Sequence, residues 1–416
     1  MRQPFSTGED QPAPLAALFH GTRSGLIADE EKSSRYTLNC ITANNKRGLR
    51  GFMAEIAIPS SLKDLTPEWM TGALGQHGID TKVSSVIHEP ISDAAGANGI
   101  TVRLKVAYAT ESKPGPPSMI IKLPASAPAV KQVGIRQQFY QNEIHFYNEF
   151  TDRLNVKIPQ RYYSGIDEQA ELYAILLEDM APAITGNDFT GCTYDEALLI
   201  VNEIAKLHAQ WWNNPELDAI PWLPRGEPNV DLAHVRFKET ILPAVMNNFG
   251  HIFSTKVKSV VEAYCKNFST IVDMISDTPN TLTHSDYRLV NLLIGGGSLS
   301  QTITVVDWQR VAKAKGLVDI AFFTVLSLSP ERRREWESPL VESYYEQILN
   351  LGVTNYTLKQ CIEDYRLCTF APTRISLAFG ARPDTDLNGT NGKRLQTTMI
   401  NRVSAVIEDM NLAEFL

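Results

Sequence analysis

Thr283-His284-Ser285-Asp286-Tyr287-Arg288-Leu289-Val290-Asn291 is followed by an apolar stretch and then by Val305-Val306-Asp307-Trp308-Gln309. Asn291 stands five residues after Asp286, and Asp307 ends the apolar run 303–306. Phosphoryl transfer to a hydroxyl asks for this set. One carboxylate orients the hydroxyl and takes its proton, while an amide and a second carboxylate hold the metal that neutralises the phosphates. Asp286 is the candidate catalytic base. Asn291 and Asp307 are the candidate metal ligands, because Mg²⁺ takes hard oxygen donors and keeps several waters. Asp and Asn are also common in surface turns, but three of them in this order, in a strand-loop-strand context, favour the chemical reading.

The pattern resembles the catalytic loop and metal-binding Asp of the protein-kinase-like fold. It is closest to the small-molecule branch: the aminoglycoside phosphotransferase, choline kinase and ecdysteroid kinase-like families. These usually read His-Gly-Asp, with an Asn five residues after the Asp. Arg288-Leu289 before the Asn, and Val306-Asp307-Trp308-Gln309 after it, look like bacterial members. Two positions depart from the pattern. Ser285 replaces the usual Gly, which constrains the turn if that position needs an unusual backbone angle. Val290 replaces an Asp common in the bacterial branch. The resemblance implies an α+β, bilobal fold with a strand-rich N-lobe and a helix-rich C-lobe. It also implies ATP and Mg²⁺ as cofactors and a small-molecule hydroxyl acceptor. His284 is then structural, and Asp319, in the segment 316–322, braces the catalytic loop or caps a helix.

The chain carries this order at large. Residues 1–52 hold Pro, Gly and mixed charges without a sustained period, and are expected to be a disordered extension. Thr66 and Pro67 open a helix through about Gly75. Strands are expected at 83–87, 100–106, 118–123 and as a pair within 160–178, with a helix over 131–154. After about 182 the periodicity predicts helices at 194–213, 231–248, 254–276, 331–350, 357–379 and 392–412, around a strand-rich stretch at 280–307. The expected division is an N-lobe over 53–180 and a C-lobe over 181–416, whose helices bind the acceptor. The hinge falls near 178–182.

Within the N-lobe, Lys122 sits in the short apolar strand Met119-Ile120-Ile121-Lys122-Leu123. In the helix that follows, Ile135, Phe139, Phe146 and Phe150 form one apolar face. Glu143 falls on that face, and a buried carboxylate needs a cationic partner. Lys122 is the natural one, and the pair resembles the kinase-fold arrangement that positions phosphates. Glu149 lies off the stripe. The turn at Gly96, Asn98 and Gly99 could place backbone amides over phosphates, although a plain hairpin reads the same. By resemblance, Glu178 and Met180 lie where the adenine edge meets hinge backbone. His208 reads as a core histidine.

The bulk numbers narrow the partners. A formal net charge of −8 argues against nucleic acid, whose backbone is held by excess Lys and Arg. Five widely spaced cysteines without a Cys-x-x-Cys read as free thiols of a reducing, cytoplasmic setting. No apolar run reaches the ~20 residues of a membrane span. Aromatic residues in the helical half point to a lipophilic or sterol-like acceptor. The competing reading is a pseudokinase-like nucleotide-binding module. A protein kinase fits less well, since no Ala-Pro-Glu follows Asp307 and the interval to Asp319 is short.

Overall fold

The computed structural model describes residues 56–91, 99–109, 115–295, 302–383 and 389–416. The expected extension at 1–52 and the turn residues Gly96 and Asn98 lie outside them. The N-terminal part is built on a five-stranded antiparallel sheet. Its strands are β1 (Val83–Pro90), β2 (Gly99–Tyr108), β3 (Ser118–Pro124), β4 (Arg161–Asp167) and β5 (Leu172–Glu178), in the order β1-β2-β3-β5-β4. Helix α1 (Pro67–Gln76) packs on it. The Thr66 side chain accepts the Trp69 N–H, and Pro67 takes the position where a missing N–H costs nothing.

Strand alternation decides which side chains reach the site. On β3, Met119, Ile121 and Leu123 are buried with α1, which turns Lys122 to the opposite face. β5 is buried on both faces. Ala174 and Leu176 join the α1 cluster, while Tyr173, Ile175 and Leu177 join the larger core of the rest of the molecule.

The helix expected over 131–154 is two helices, α2 (Pro128–Arg136) and α3 (Phe139–Glu149), broken at Gln138 with φ 56°. The Tyr140 ring folds back so close that a Cβ at Gly134 would overlap it. Phe139, Glu143, Phe146 and Phe150 still share the buried side, and Glu149 stays exposed to accept the Trp222 indole N–H at 2.7 Å.

The C-terminal part is helical: α4 (Tyr194–Gln210), α5 (Val230–Arg236), α6 (Leu242–Phe249), α7 (Thr255–Lys266), α8 (Phe268–Ser276), α9 (Leu317–Ser327), α10 (Pro330–Asn350), α11 (Leu358–Cys368), α12 (Phe370–Gly380) and α13 (Gly389–Asp409). Three predicted helices are interrupted. A π turn at Phe237–Ile241 joins α5 to α6, where Pro243 lacks an N–H to continue the ladder. Asn267 separates α7 from α8, its amide bonding back to the Ala263 carbonyl. Thr369 separates α11 from α12, its hydroxyl bonding back to Arg366 O. Helix α9 carries no polar face, since all of its residues are buried, so periodicity gives no helical signal there.

Short strands frame the loops between α8 and α9. β7 (Thr281–Thr283) pairs with β10 (Ala312–Ala314), and β6 (Ile184–Thr185) joins β8 (Leu292–Ile294) and β9 (Ile303–Val305). Asp286 thus leaves the end of β7, and Asp307 follows β9. Among the described residues no helix is long and apolar enough to cross a membrane, and Cys192, Cys265, Cys361 and Cys368 are free thiols.

Candidate active site

Lys122 stands at the centre. Its Nζ lies 2.5 Å from Glu143 Oε1 and 2.7 Å from Asp307 Oδ1. β3 delivers the lysine, the buried face of α3 the glutamate, and the turn after β9 the aspartate. Burial by itself would favour the neutral amine. The Asp307 and Glu143 carboxylates outweigh it and hold Lys122 above the ordinary lysine range. The same ammonium, ahead of Arg288, overcomes burial to keep Asp307 below the ordinary aspartate range. Asp307 adopts φ 68°, a left-handed conformation that turns its carboxylate back to the lysine.

The catalytic-loop candidates are held by a buried frame. Asp319 is the third residue of α9, and Gly316 takes the cap position. Its carboxylate accepts the backbone N–H of His284 at 2.8 Å and of Ser285 at 2.7 Å. His208 Nε2 donates to it at 3.1 Å, and Tyr344 donates to His208 Nδ1 at 3.0 Å. Gly316 makes room for this chain, because a Cβ there would collide with Tyr344 Oη and His208. His284 donates from Nε2 to Val306 O at 2.9 Å, leaving Nδ1 to accept the Asp286 N–H at 3.2 Å. Both ring nitrogens are therefore used to join the two loops. Ser285, in the position usually held by Gly, has φ 59°. Its hydroxyl bonds Thr283 Oγ1 at 2.8 Å, and Thr283 in turn donates to Ala312 O.

Asp286 is 6% exposed, and Arg288 Nε donates to its Oδ1 at 2.9 Å. Asn291 spends its amide N–H on the Asp286 carbonyl at 2.8 Å, which leaves its Oδ1 as an oxygen donor. Asp307 Oδ2 accepts the Gln309 amide at 3.1 Å. One carboxylate and one amide oxygen, with the rest supplied by water and phosphate, is a donor set that suits Mg²⁺. No group of three His, Cys, Asp or Glu able to hold a metal occurs among the described residues.

The remaining sequence candidates lie around this cluster. Gly99 opens β2, so near β3 that a Cβ would stand 2.8 Å from Leu123 O. Glu178 ends β5, and its carboxylate accepts the Gln160 N–H at 3.1 Å. Met180 offers its carbonyl to the Ala183 N–H at 2.9 Å. Several residues escape the sequence reading. Arg103 forks onto Asp179 at 2.6 and 3.1 Å, tying β2 to the segment after β5. Trp308 stacks on Phe146 with centroids 4.0 Å apart and meets His284 edge-on, so α3 and both loops share one aromatic column. Arg310 lies over the Phe139 ring at 5.0 Å, in the field of Asp286 and Asp307. Only its spacing of three from Asp307 could have singled it out.

The model of the ecdysteroid kinase-like family matches residues 95–354, more than half of the chain. The chain belongs to the ecdysteroid kinase-like family. No curated protein matches it. Among solved structures, a Ralstonia eutropha JMP134 protein assigned as an aminoglycoside phosphotransferase is similar at 13% identity, covering 82% of this chain and 96% of that one, with a TM-score of 0.51. Choline kinase from Cryptosporidium parvum Iowa II is similar at 12% identity, covering 78% and 90%, also with a TM-score of 0.51. These likenesses are of fold: this ecdysteroid kinase-like protein has the bilobal kinase-like architecture, and its family and fold are those of small-molecule phosphotransferases.

Proposed function

We propose that this protein is an ATP- and Mg²⁺-dependent phosphotransferase that acts on a hydroxyl of a lipophilic, sterol-like small molecule. The observation that carries the reading is the double contact of Lys122 with Glu143 and Asp307, set beside Asp286 and Asn291. A lysine fixed between two carboxylates is pre-positioned as a point charge for phosphate oxygens. Asp307 and Asn291 hold the metal, which supplies charge neutralisation on the phosphates. Asp286, with Oδ1 engaged by Arg288, keeps Oδ2 for the acceptor hydroxyl and its proton. Gly99 shapes the strand beside the phosphates, and the backbone around Glu178 and Met180 meets the adenine edge at a hinge near 178–182, between lobes over 53–180 and 181–416.

Ser285 does not favour a pseudokinase, since its strained angle is accommodated by hydrogen bonds and removes no metal or base group. The test is transfer from γ-labelled ATP to a panel of hydroxylated lipophilic compounds. Wild type transfers label only with Mg²⁺, while Asp286→Ala binds Mg-ATP and transfers none. Undiminished transfer by Asp286→Ala would refute the assignment of the base.

A further inference from the structure

Two buried side chains of the helical part grip the loop that carries Asp286. Asp188 Oδ2 accepts Arg288 Nη1 at 3.2 Å, and Ser327 Oγ accepts the Leu289 N–H at 2.9 Å. The two are joined, since Ser327 Oγ also donates to Asp188 Oδ1 at 2.9 Å. Arg288 in turn bonds the Asp286 carboxylate from Nε. Asp188 lies in the turn after β6, and Ser327 is the last residue of α9. Gly186 brings that turn so near the loop that a Cβ there would stand 2.5 Å from Leu289 O.

One side chain from far along the chain fixes both grips. Arg402 of α13 donates from Nη2 to Asp188 O at 2.6 Å and from Nη1 to the carbonyl of Leu326, the residue before Ser327. Arg402 is buried, and burial pushes its guanidinium below the ordinary arginine range against the pull of Asp188. A buried cation is costly, and an apolar side chain would hold α13 in the core at least as well. What the guanidinium adds is a planar fork that sets two carbonyls at once. The same helix touches the turn a second time, where Arg394 lies over the Phe189 ring at 4.4 Å. α13 lies beyond residue 354, where the match to the family ends. We infer that Arg402 is a positioning residue for Asp286: by fixing Asp188 and Ser327 it sets Arg288, and through Arg288 the carboxylate. The inference rests on the phosphotransferase reading for the role of Asp286 and adds the last long helix to the site.

Hydrogen exchange of the full chain, read by mass spectrometry over 284–292, tests it beside phosphate release from Mg-ATP with water as the acceptor. Arg402→Gln speeds exchange over 284–292 in the nucleotide-free protein. It lowers phosphate release about tenfold, less than the ~10²-fold of a catalytic group displaced by 1 Å, and leaves KM for Mg-ATP and Mg-ATP thermal stabilisation at wild-type values. Arg288→Gln with Arg402→Gln loses no more than Arg288→Gln alone, because both act through one chain of contacts. Asp188→Asn keeps the side-chain shape, tests the next link even where Arg402→Gln fails to fold, and gives the same split between turnover and binding. Arg366→Gln, which frees α11 from the Asn411 carbonyl at the same end of the chain, changes neither readout. Unchanged exchange in Arg402→Gln, turnover that ignores Asp188→Asn, or losses that multiply in the double variant would overturn the inference. Wild type that Mg-ATP does not stabilise would instead remove the phosphotransferase reading, and exchange over 284–292 would still decide whether Arg402 holds the loop.

Discussion

Arg288 donates from Nε to Asp286 Oδ1 across 2.9 Å, and its Nη1 reaches Asp188 Oδ2 at 3.2 Å. Asp188 is itself anchored: Ser327 Oγ donates to its carboxylate at 2.9 Å and Arg402 of α13 to its carbonyl at 2.6 Å. The candidate base is thus held by a cation that is paired on both sides, with Asp286 and with Asp188. On the proposed reading Arg288 is a positioning residue that sets which Asp286 oxygen would face the acceptor hydroxyl. Arg288→Gln is expected to lower kcat by about 10²-fold, the scale of a misplaced catalytic group, with KM for Mg-ATP unchanged. Steady-state kinetics separate the two; a rise in KM for ATP with kcat intact would place Arg288 on the nucleotide instead.

Ser285 occupies a left-handed conformation that costs a non-glycine residue roughly 1–2 kcal/mol. Its hydroxyl regains part of that through Thr283. Ser285→Ala keeps the strain and loses the bond, and should destabilise by about 1 kcal/mol. Ser285→Gly loses the bond, relieves the strain and frees the unfolded chain, and should stay within about 0.5 kcal/mol of wild type. Denaturant midpoints of the two variants check the order.

His145 packs on Trp222, and burial holds its imidazole below the ordinary value, against the pull of Glu149 and Glu168. A depressed histidine binds its proton more readily in the unfolded chain. Stability contributed by the neutral ring is therefore full above the ordinary histidine pKa and falls as pH drops through it. Unfolding measured from pH 8 to pH 5 should show wild type losing stability relative to His145→Gln as the pH falls. Parallel profiles would contradict the account.

Much of the site is local enough to be read along the chain. The loop from His284 to Asn291 and the carboxylate of Asp307 sit within one strand-loop-strand unit, and the Phe139–Phe146–Phe150 stripe puts Glu143 on the side facing Lys122. What sequence could not supply is long-range. Asp188 meets Arg288 across 100 residues of chain and Arg402 meets Asp188 across 214, and Arg103 reaches Asp179 with no local signature. Helix boundaries failed where local backbone and burial override periodicity: the left-handed Gln138 breaks one helix, and complete burial hides the period of α9. The Gly96 and Asn98 turn lies outside the described residues.

On the proposed function, Lys122, Asn291 and Asp307 form a Mg-ATP site. Thermal unfolding of wild type and Asp307→Ala, with ATP and with or without Mg²⁺, tests it most directly. Ligand at a hundredfold over its dissociation constant stabilises by about 2.7 kcal/mol, a shift of a few degrees. That shift is expected for wild type only with Mg²⁺ present, and is expected to be lost in Asp307→Ala. No shift at millimolar Mg-ATP, or the same shift in the variant, would contradict it.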